Sequence, residues 1–351
     1  MNPVSDSALA LVSLIVVAIL VIAILFSLYA ILLRVGHSRR EALQAELQDR
    51  WEGPVLSAIA DPARVSDVHP LVPQRYRMHF VQFVLDYARR VRGAERRTLR
   101  RLVEPYLDEI AERTQHPRAE VRTRAVQTLG TLGLPKYSKE VLAGLEDPSP
   151  LVSMVSARYL ARPEFPEFGP ALMDHLDRFE GWNRFFLASM LAAMGPEVSP
   201  VLRDGLVDGA QPPWLRAVYA EALRMQVDAR SADPAVEALS TVGEQRDLAA
   251  SLLRLLAAVG RPEHVDAVRP LCNGGAEIVR AQSFHALGML GDERELPLLF
   301  AGMEDDSPWA ALHAARGARE AGGATLLREM AHEEGDRARL AGQVLFEEEG
   351  A

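Results

Sequence analysis

The 351-residue sequence contains one cysteine, Cys272, so no disulfide can form within the chain, which fits a reducing compartment. Aromatic residues make up only 6% of the chain. The nine histidines show no zinc-binding spacing such as HExxH, and the glycines form no phosphate loop. Because the usual signs of catalysis are missing, we predict a protein that is not an enzyme and holds neither cofactor nor metal.

The charges are unevenly distributed along the chain. The net charge of -9 divides into -2 for residues 1–74, +6 for residues 75–124 and -13 for residues 125–351. Nucleic acid would require a basic face, so the acidic body argues against a nucleic-acid partner. The basic segment has two interpretations that stay open, a solvated helix face or a surface that contacts anionic lipid.

Charge and proline are both absent from residues 8–33. As a helix these residues would span roughly 39 Å, which exceeds the hydrocarbon core of about 30 Å. A cleaved signal peptide is the alternative, but it requires a basic start and a shorter apolar core, whereas residues 1–7 contain Asp6 and no Lys or Arg. We therefore predict a transmembrane helix at 8–33, preceded by a short extracytoplasmic N-terminus at 1–7.

Basic residues follow the apolar run at Arg34, Arg39 and Arg40. Because positive charge stays on the cytoplasmic side, the N-terminus is expected outside and residues 34–351 in the cytoplasm. The predicted location is the inner (cytoplasmic) membrane of a bacterium, crossed once.

The segment after the run predicts a juxtamembrane amphipathic helix at 34–60, interrupted at Gly53-Pro54. Three prolines in residues 61–74 predict a linker. The apolar face of the helix is expected to consist of Leu43, Leu47, Trp51 and Leu56.

Two stretches of the remaining chain are nearly the same, "EVRTRAVQTLGTLG" at 120–133 and "EIVRAQSFHALGMLG" at 277–291. Their core positions are spaced by four, four and three residues, which places them on one helical face. Similar helices recur every 31 to 33 residues, with shorter apolar segments between them. The predicted core positions are Val121, Ala125, Leu129 and Leu132; Val152, Ser156 and Leu160; Asn183, Leu187, Leu191 and Met194; Leu215, Tyr219 and Leu223; Leu248, Leu252, Leu256 and Val259; Val279, Ser283, Leu287 and Leu290; Ala310, Ala314 and Ala318; and Ala338.

A fixed period of this kind is the signature of a solenoid. One helical hairpin cannot bury its apolar face alone, so neighbouring units must stack and share a core. We predict an all-α fold: an α-solenoid of stacked antiparallel helix pairs over residues 75–351, plus the N-terminal transmembrane helix.

The units resemble HEAT repeats, and most closely the short bacterial kind called PBS-lyase HEAT-like repeats. The resemblance lies in the Asp-Pro turn of "EDPSPLV", the Val-Arg pair, the Ala four residues later and the Leu-Gly. It covers residues 115–346, and 75–114 more loosely, and it weakens where Asn183 replaces Val and Leu252 replaces Ala. The resemblance implies a superhelix that binds proteins along a curved surface. A minority of the family are lyases or isomerases that attach bilin pigments.

One column of arginines follows the first core position of its units, at Arg122, Arg184, Arg216 and Arg280. In a structural interpretation each guanidinium bonds turn carbonyls or an acidic group of a neighbouring unit. In a functional interpretation the column forms a basic stripe that binds an acidic partner. The planar fork of arginine suits both roles.

A second column, one residue before the core position, contains three of the four tryptophans, Trp182, Trp214 and Trp309. Phe185 and Phe186 lie within one turn of Trp182. The rings either fill gaps under the turns or form a partly exposed patch, and Trp and Arg are favoured at binding hot spots. We treat both columns as candidate partner-binding residues.

These observations predict a membrane-anchored scaffold that binds a protein partner at the cytoplasmic face of the inner membrane. The partner is expected to be a signalling protein or a membrane enzyme for which this chain is an accessory subunit. The alternative is a bilin lyase-like enzyme, for which no activating residue is evident. A transmembrane sensor has too few outside residues to detect a signal.

Overall fold

The structure is a computed structural model that describes residues 45–88, 90–91, 93–133, 135–162 and 168–349, with seven separate positions between 20 and 43. Most of these residues lie in helices, the others lie in turns, bends and irregular segments, and no strand occurs among them. The all-α prediction is therefore confirmed for the part of the chain that the structure describes.

The α-helices are joined by 3-10 turns and, at Arg319–Gly323, by a π turn. In chain order they are α1 (45–60), α2 (Val65–Val68), α3 (Arg77–Ala88), α4 (Gly93–Val103), α5 (Leu107–Glu112), α6 (Ala119–Leu132), α7 (Ser138–Ala143), α8 (Pro150–Leu160), α9 (Gly169–Met173), α10 (Arg184–Ala192), α11 (Ser199–Val207), α12 (Pro213–Gln226), α13 (Ala232–Ser240), α14 (Arg246–Val259), α15 (Val265–Val268), α16 (Glu277–Leu290), α17 (Leu296–Gly302), α18 (Pro308–Ala318), α19 (Ala324–Met330) and α20 (Asp336–Glu349).

The chain divides into two compact units, Met1–Glu140 and Val141–Ala351. The predicted boundary between linker and solenoid, at residues 74 and 75, stays a prediction. The segment 61–74, which the sequence predicts as a Pro-rich linker, lies within the first unit. Its residues fold into short helical turns whose Val68 is buried, and Leu71 accepts a hydrogen bond from Trp51 Nε1 at 3.2 Å.

Helix α1 differs from its prediction in two respects. It continues through Gly53 and Pro54 without interruption. Its buried face uses Val55 in place of Leu56, whose side chain is exposed. The reason is periodicity, because Leu47, Trp51, Val55 and Ala58 keep the spacing of four, four and three that one helical face requires. Trp51 then packs edge-on against Phe80, with the ring centroids 5.2 Å apart.

In the second unit the long helices stack in chain order, with α12 between α10 and α14, and α16 between α14 and α18. The short helices α11, α13 and α15 stack beside them. The predicted core positions Leu248, Leu252, Leu256 and Val259 of α14 are all buried. Burying one such side chain contributes about 1.5–3 kcal/mol, so the repeated core holds each unit on the next.

Two predicted core positions differ from the rest. Val121 is only half-buried, and Asn183 is exposed. Asn183 lies just outside α10, where its side-chain oxygen accepts a hydrogen bond from the Phe186 N–H at 3.0 Å. Asn is a preferred N-cap residue because it satisfies an unpaired amide of the first turn. The residue therefore fixes the start of α10 at Arg184 instead of contributing to the core.

Closely packed backbones join α16 to α18. A Cβ on Gly288 would overlap the backbone of Gly317, so neither position has room for a side chain. Because glycine lacks Cβ, the two helices approach more closely here than larger residues would allow.

The predicted N-terminal segment at 1–7 and most of the transmembrane helix at 8–33 lie outside the described residues, as do Arg39 and Arg40. The described side chains of that run, Leu20, Val21, Ile24 and Phe26, are exposed.

Among the described residues no single helix has the length and apolar character needed to cross a membrane, and one bent pair, Arg184–Ala192 with Pro196–Val207, meets the test by length and composition only.

Candidate functional site

Three members of the arginine column make contacts within the repeat stack. Arg122 donates from Nη1 to the turn carbonyls of His116 and Pro117, at 2.9 and 3.0 Å. Arg216 is buried and donates from Nε to the Leu206 carbonyl at 2.8 Å.

Arg280 makes the most extensive contacts of the column. It forms two bonds of 2.6 and 2.7 Å with Asp305, in the turn before α18, and a third of 2.9 Å with the Gly275 carbonyl. These are the contacts that the structural interpretation describes, and they tie the first turns of α6, α12 and α16 to their surroundings.

Arg184 behaves differently, because Asn183 caps α10 and leaves Arg184 at its exposed first position. Its Nη1 donates to Oδ2 of Asp247, at the start of α14, at 3.0 Å. The two side chains remain about half exposed, at 47% and 58%. This ion pair joins α10 to α14, so it spans the intervening α12.

A second ionic cluster lies further along the same helices. Glu221 of α12 accepts a hydrogen bond from Nε of Arg224 at 2.8 Å and another from Arg254 of α14 at 2.6 Å. Arg254 also donates to the Ser251 hydroxyl at 2.9 Å. One largely buried carboxylate is thus shared by two guanidinium groups, which leaves this cluster with a net positive charge.

Between the two ionic clusters lies a cavity of about 460 Å³, within the size range of ligand pockets. We call it the α12 groove and define it by its lining residues. Its apolar lining consists of Phe185, Ala217, Ala250 and Ile278. The Phe185 side chain is 66% exposed, which is unusual for a large aromatic residue on a helix. The complete lining is Arg184, Phe185, Ala217, Glu221, Arg224, Asp247, Ala250, Ser251, Arg254 and Ile278.

The aromatic candidates differ in their exposure and in the rings they contact. Trp182 is half-buried and packs edge-on against Phe179, with centroids 5.1 Å apart. Trp214 and Phe186 are also half-buried. Trp309 is exposed and lies edge-on to His313 at 5.3 Å. Of the candidates, only Arg184 and Phe185 line the groove, and a partner-binding role for the two columns stays a prediction.

One group of potential metal ligands is not evident from local sequence spacing. His264, which is buried, lies with Asp233 and Glu263 so that their ligand atoms are within 4.8 Å of one another. His264 Nδ1 accepts from the Arg261 backbone N–H, so the proton is on Nε2, which donates to Asp233 at 3.0 Å. The signal that could have found the group is the 31-residue offset of Asp233 and His264, which equals the repeat period.

The ligand types of this group, imidazole and carboxylate, are those that bind zinc. However, the Arg261 guanidinium already bonds both carboxylates, at 2.9 Å to Asp233 and 2.7 Å to Glu263. Hydrogen bonds from His264 and Arg261 hold the pKa of Asp233 below its usual value. The arrangement is therefore a closed ionic cluster that joins successive repeats.

Two further groups are shifted by burial. Burial, together with His285 and Arg316, lowers the pKa of His313 to about 4, and the two imidazole centroids are 5.9 Å apart. Burial also raises the pKa of the Cys272 thiol to about 12. A thiol with so high a pKa is not a nucleophile near neutral pH.

Residues 232–319 match the family model of HEAT repeats. No curated protein matches the sequence significantly. Similar solved structures include the karyopherin Kap121p bound to the extreme C-terminus of the protein phosphatase Cdc14p, at 12% identity and a TM-score of 0.40, covering 82% of this chain and 43% of that one. Another is the complex of CpcE and CpcF of phycocyanin lyase from Nostoc sp. PCC7120, at 15% identity and a TM-score of 0.34, covering 69% of this chain and 87% of that one.

The matched residues begin at α13 and end just after α18, so the similarity to HEAT repeats is found in this part of the predicted range 115–346. The chain spans less than half the length of the karyopherin. The described part of the protein is thus a stack of helical repeats, of which residues 232–319 are similar to HEAT repeats.

Proposed function

We propose that this protein is a membrane-anchored HEAT-repeat scaffold that binds a protein partner at the cytoplasmic face of the inner membrane and has no enzymatic activity of its own. The observation that carries the proposal is the α12 groove. It combines an exposed aromatic side chain with a cluster of arginines on a rigid stack of helices. Aromatic residues and arginine dominate the binding energy of protein interfaces.

The anchor is supported by the sequence of residues 8–33, which has the length and apolar character of a transmembrane helix. Large apolar side chains at Leu20, Val21, Ile24 and Phe26 are 48–70% exposed. Such exposure is unfavourable in water and favourable in lipid. Arg34, Arg39 and Arg40 follow the run and support an orientation with the repeats in the cytoplasm.

Anchoring gives a scaffold a specific advantage. A partner bound to a tethered protein is held near the membrane, so its local concentration there rises without any additional contact. This suits an accessory subunit of a membrane enzyme, or a protein that recruits a soluble signalling protein to the membrane.

Capture of the partner tests the scaffold function. The full chain, tagged and expressed near its native level, is crosslinked in cells, extracted in mild detergent and analysed by mass spectrometry. We expect the same partner in every replicate, and a control extract without the tag should lack it. Failure to recover any reproducible partner would count decisively against a scaffold.

Protease protection tests the anchor and its orientation. We expect the repeats to be digested in inverted membrane vesicles and protected in intact spheroplasts. Digestion in spheroplasts, or release of the full chain by a carbonate wash, would contradict the proposed topology.

A further inference from the structure

We propose that the α12 groove receives an acidic segment of the partner protein, in which an apolar side chain is flanked by Asp or Glu residues. This inference rests on the proposed scaffold function and specifies the chemistry of its partner. It is carried by the charge balance of the groove, by its apolar lining and by the way its arginines are held.

The charge balance favours a carboxylate ligand. Three guanidinium groups line the groove, those of Arg184, Arg224 and Arg254, against the carboxylates of Glu221 and Asp247. The excess positive charge lies where Glu221 is shared between two arginines. The acidic body of the protein does not cancel it, because charges further away than about 8 Å are screened at physiological salt.

The charge of the chain around the groove disfavours a polyanion as the ligand. A nucleic acid would extend beyond the groove onto residues 125–351, whose net charge is -13. A short acidic segment needs only the groove, so it gains the local attraction without that repulsion.

The apolar lining accounts for the second half of the proposed segment. Ala217 and Ala250 leave space between the two ionic clusters, and Phe185 and Ile278 contribute larger apolar surfaces. An apolar side chain placed there would contact Phe185, whose exposed area is costly in the free protein. Removing such area from water contributes about 25 cal/mol per Å².

The arginines are already oriented for this task. Arg254 is held by Glu221 and Ser251, and Arg184 by Asp247. A guanidinium has five N–H donors, so a group bonded to one carboxylate retains donors for a second. Because the side chains are ordered before binding, less conformational entropy is lost when the partner arrives.

Selection from a peptide library tests the proposal. The full chain, purified in detergent, is immobilised and panned against a phage-displayed library of random twelve-residue peptides at physiological salt. We expect a consensus that combines Asp or Glu with an aromatic or branched apolar residue. A basic consensus, or no consensus after repeated rounds, would overturn the proposal.

Variants then locate the site with a synthetic peptide of the selected consensus. Phe185→Ala is expected to weaken binding about tenfold, which corresponds to 1.4 kcal/mol. Phe346→Ala is the matched control, because Phe346 is 74% exposed on α20, away from the groove.

Arg254→Gln tests the charge of the groove and is expected to weaken binding at low salt more than at high salt. Arg294→Gln is its control, because Arg294 is highly exposed elsewhere, and it should not weaken binding. Equal binding by groove and control variants would refute the assignment.

The two proposals fail separately. If the partner captured from cells binds the wild-type chain and Phe185→Ala equally, the groove assignment is wrong while the scaffold function stands. If no partner is captured but acidic peptides bind in a Phe185-dependent way, the groove stands and the scaffold function fails. Should Phe185→Ala melt at a lower temperature than the wild type, Arg184→Gln, at an exposed position, provides the second variant.

Discussion

Arg184 and Asp247 form an ion pair at 3.0 Å although 63 residues separate them. The pair joins the first turns of two long helices, α10 and α14, that are separated in the stack by α12. Ala217 of the intervening α12 lines the groove together with both partners of the pair. Asp247 stands at the repeat position that Trp182 and Trp214 occupy in the two preceding units. At this repeat position, a carboxylate that lines the groove therefore takes the place of an aromatic ring.

The exposed pair is expected to contribute little to stability. Ion pairs in water are worth about 0.2–1 kcal/mol, because solvent screens the attraction. A double-mutant cycle with Arg184→Ala and Asp247→Ala, followed by thermal or urea unfolding, should give a coupling energy in that range. A coupling above about 2 kcal/mol would show that the pair holds the repeats together and is not available to a partner.

The pair formed by Arg280 and Asp305 provides the contrast. It has two hydrogen bonds, and Asp305 is nearly buried. Asp305→Asn should therefore destabilise the protein by about 2 kcal/mol, typical of a hydrogen bond to a charged group, as measured by denaturant unfolding at neutral pH. A loss as small as that of Asp247→Ala would mean that burial does not strengthen the Asp305 pair.

The same carboxylate gives a pH dependence. Arg280 holds the pKa of Asp305 below its usual value of 3.8. A lowered carboxyl pKa stabilises the fold above the usual pKa, and the contribution is lost as the pH falls through the folded value. The difference in stability between the wild type and Asp305→Asn should therefore narrow below about pH 4 in unfolding curves. A constant difference down to pH 2 would contradict the assignment.

Protonation of His313 also destabilises the fold, but in a higher pH range than protonation of Asp305. Its folded pKa of about 4 lies below the usual 6.5 because burial disfavours the charged ring. Between these values the unfolded chain binds more protons, so stability is complete above pH 6.5 and falls as the pH drops towards 4. The charged and titratable groups that influence it are His285 and Arg316, and burial lowers the pKa of His285 as well.

His313→Phe tests this dependence. Between pH 7 and pH 4.5 the melting temperature of the variant should fall by less than that of the wild type, as followed by circular dichroism. His332→Phe, at an exposed position, is the control and should follow the wild-type profile. If both variants lose the same amount, His313 is not responsible for the acid sensitivity.

Backbone strain is expected at Val227, which ends α12 in the left-handed conformation with φ of 53°. This conformation costs a residue with Cβ about 1–2 kcal/mol, and glycine loses part of that gain through its greater unfolded-state freedom. Val227→Gly should raise the unfolding free energy by about 1 kcal/mol. Val201→Gly is the control: at an exposed position inside α11 it should lower the unfolding free energy slightly. If Val227→Gly lowered the unfolding free energy instead, the backbone at Val227 would not be strained.

The sequence predicted the repeat stack because a period of 31 to 33 residues and a spacing of four, four and three follow from helix geometry. The structure differs from the predicted core where local helix geometry gives a residue another role. Asn183 satisfies an unpaired helix amide and so leaves the core. Val55 replaces Leu56 because the period, and not side-chain size, decides which residue faces inward.

The groove could not be predicted in the same way. Its ionic contacts join side chains that are 63 and 33 residues apart. Two repeat columns meet there, since Arg184 belongs to one and Asp247 to the other. Both separations are close to whole multiples of the repeat period, so the sequence spacing allows these pairs among many others, and the stacking of the helices decides which of them form.

The close approach of α16 and α18 gives the last prediction. Alanine is a better helix former than glycine by about 1 kcal/mol. Replacing a helical glycine by alanine should therefore stabilise the protein where the space around the new Cβ is open. Gly342 on α20 has no atom near its missing Cβ, and Gly342→Ala should stabilise the fold by about 0.5–1 kcal/mol. Gly288 faces the Gly317 backbone, so Gly288→Ala must push the two helices apart and should cost about 1–3 kcal/mol despite its better propensity. Urea unfolding of the two variants measures both effects, and a stabilised Gly288→Ala would show that the repeats pack less closely than described.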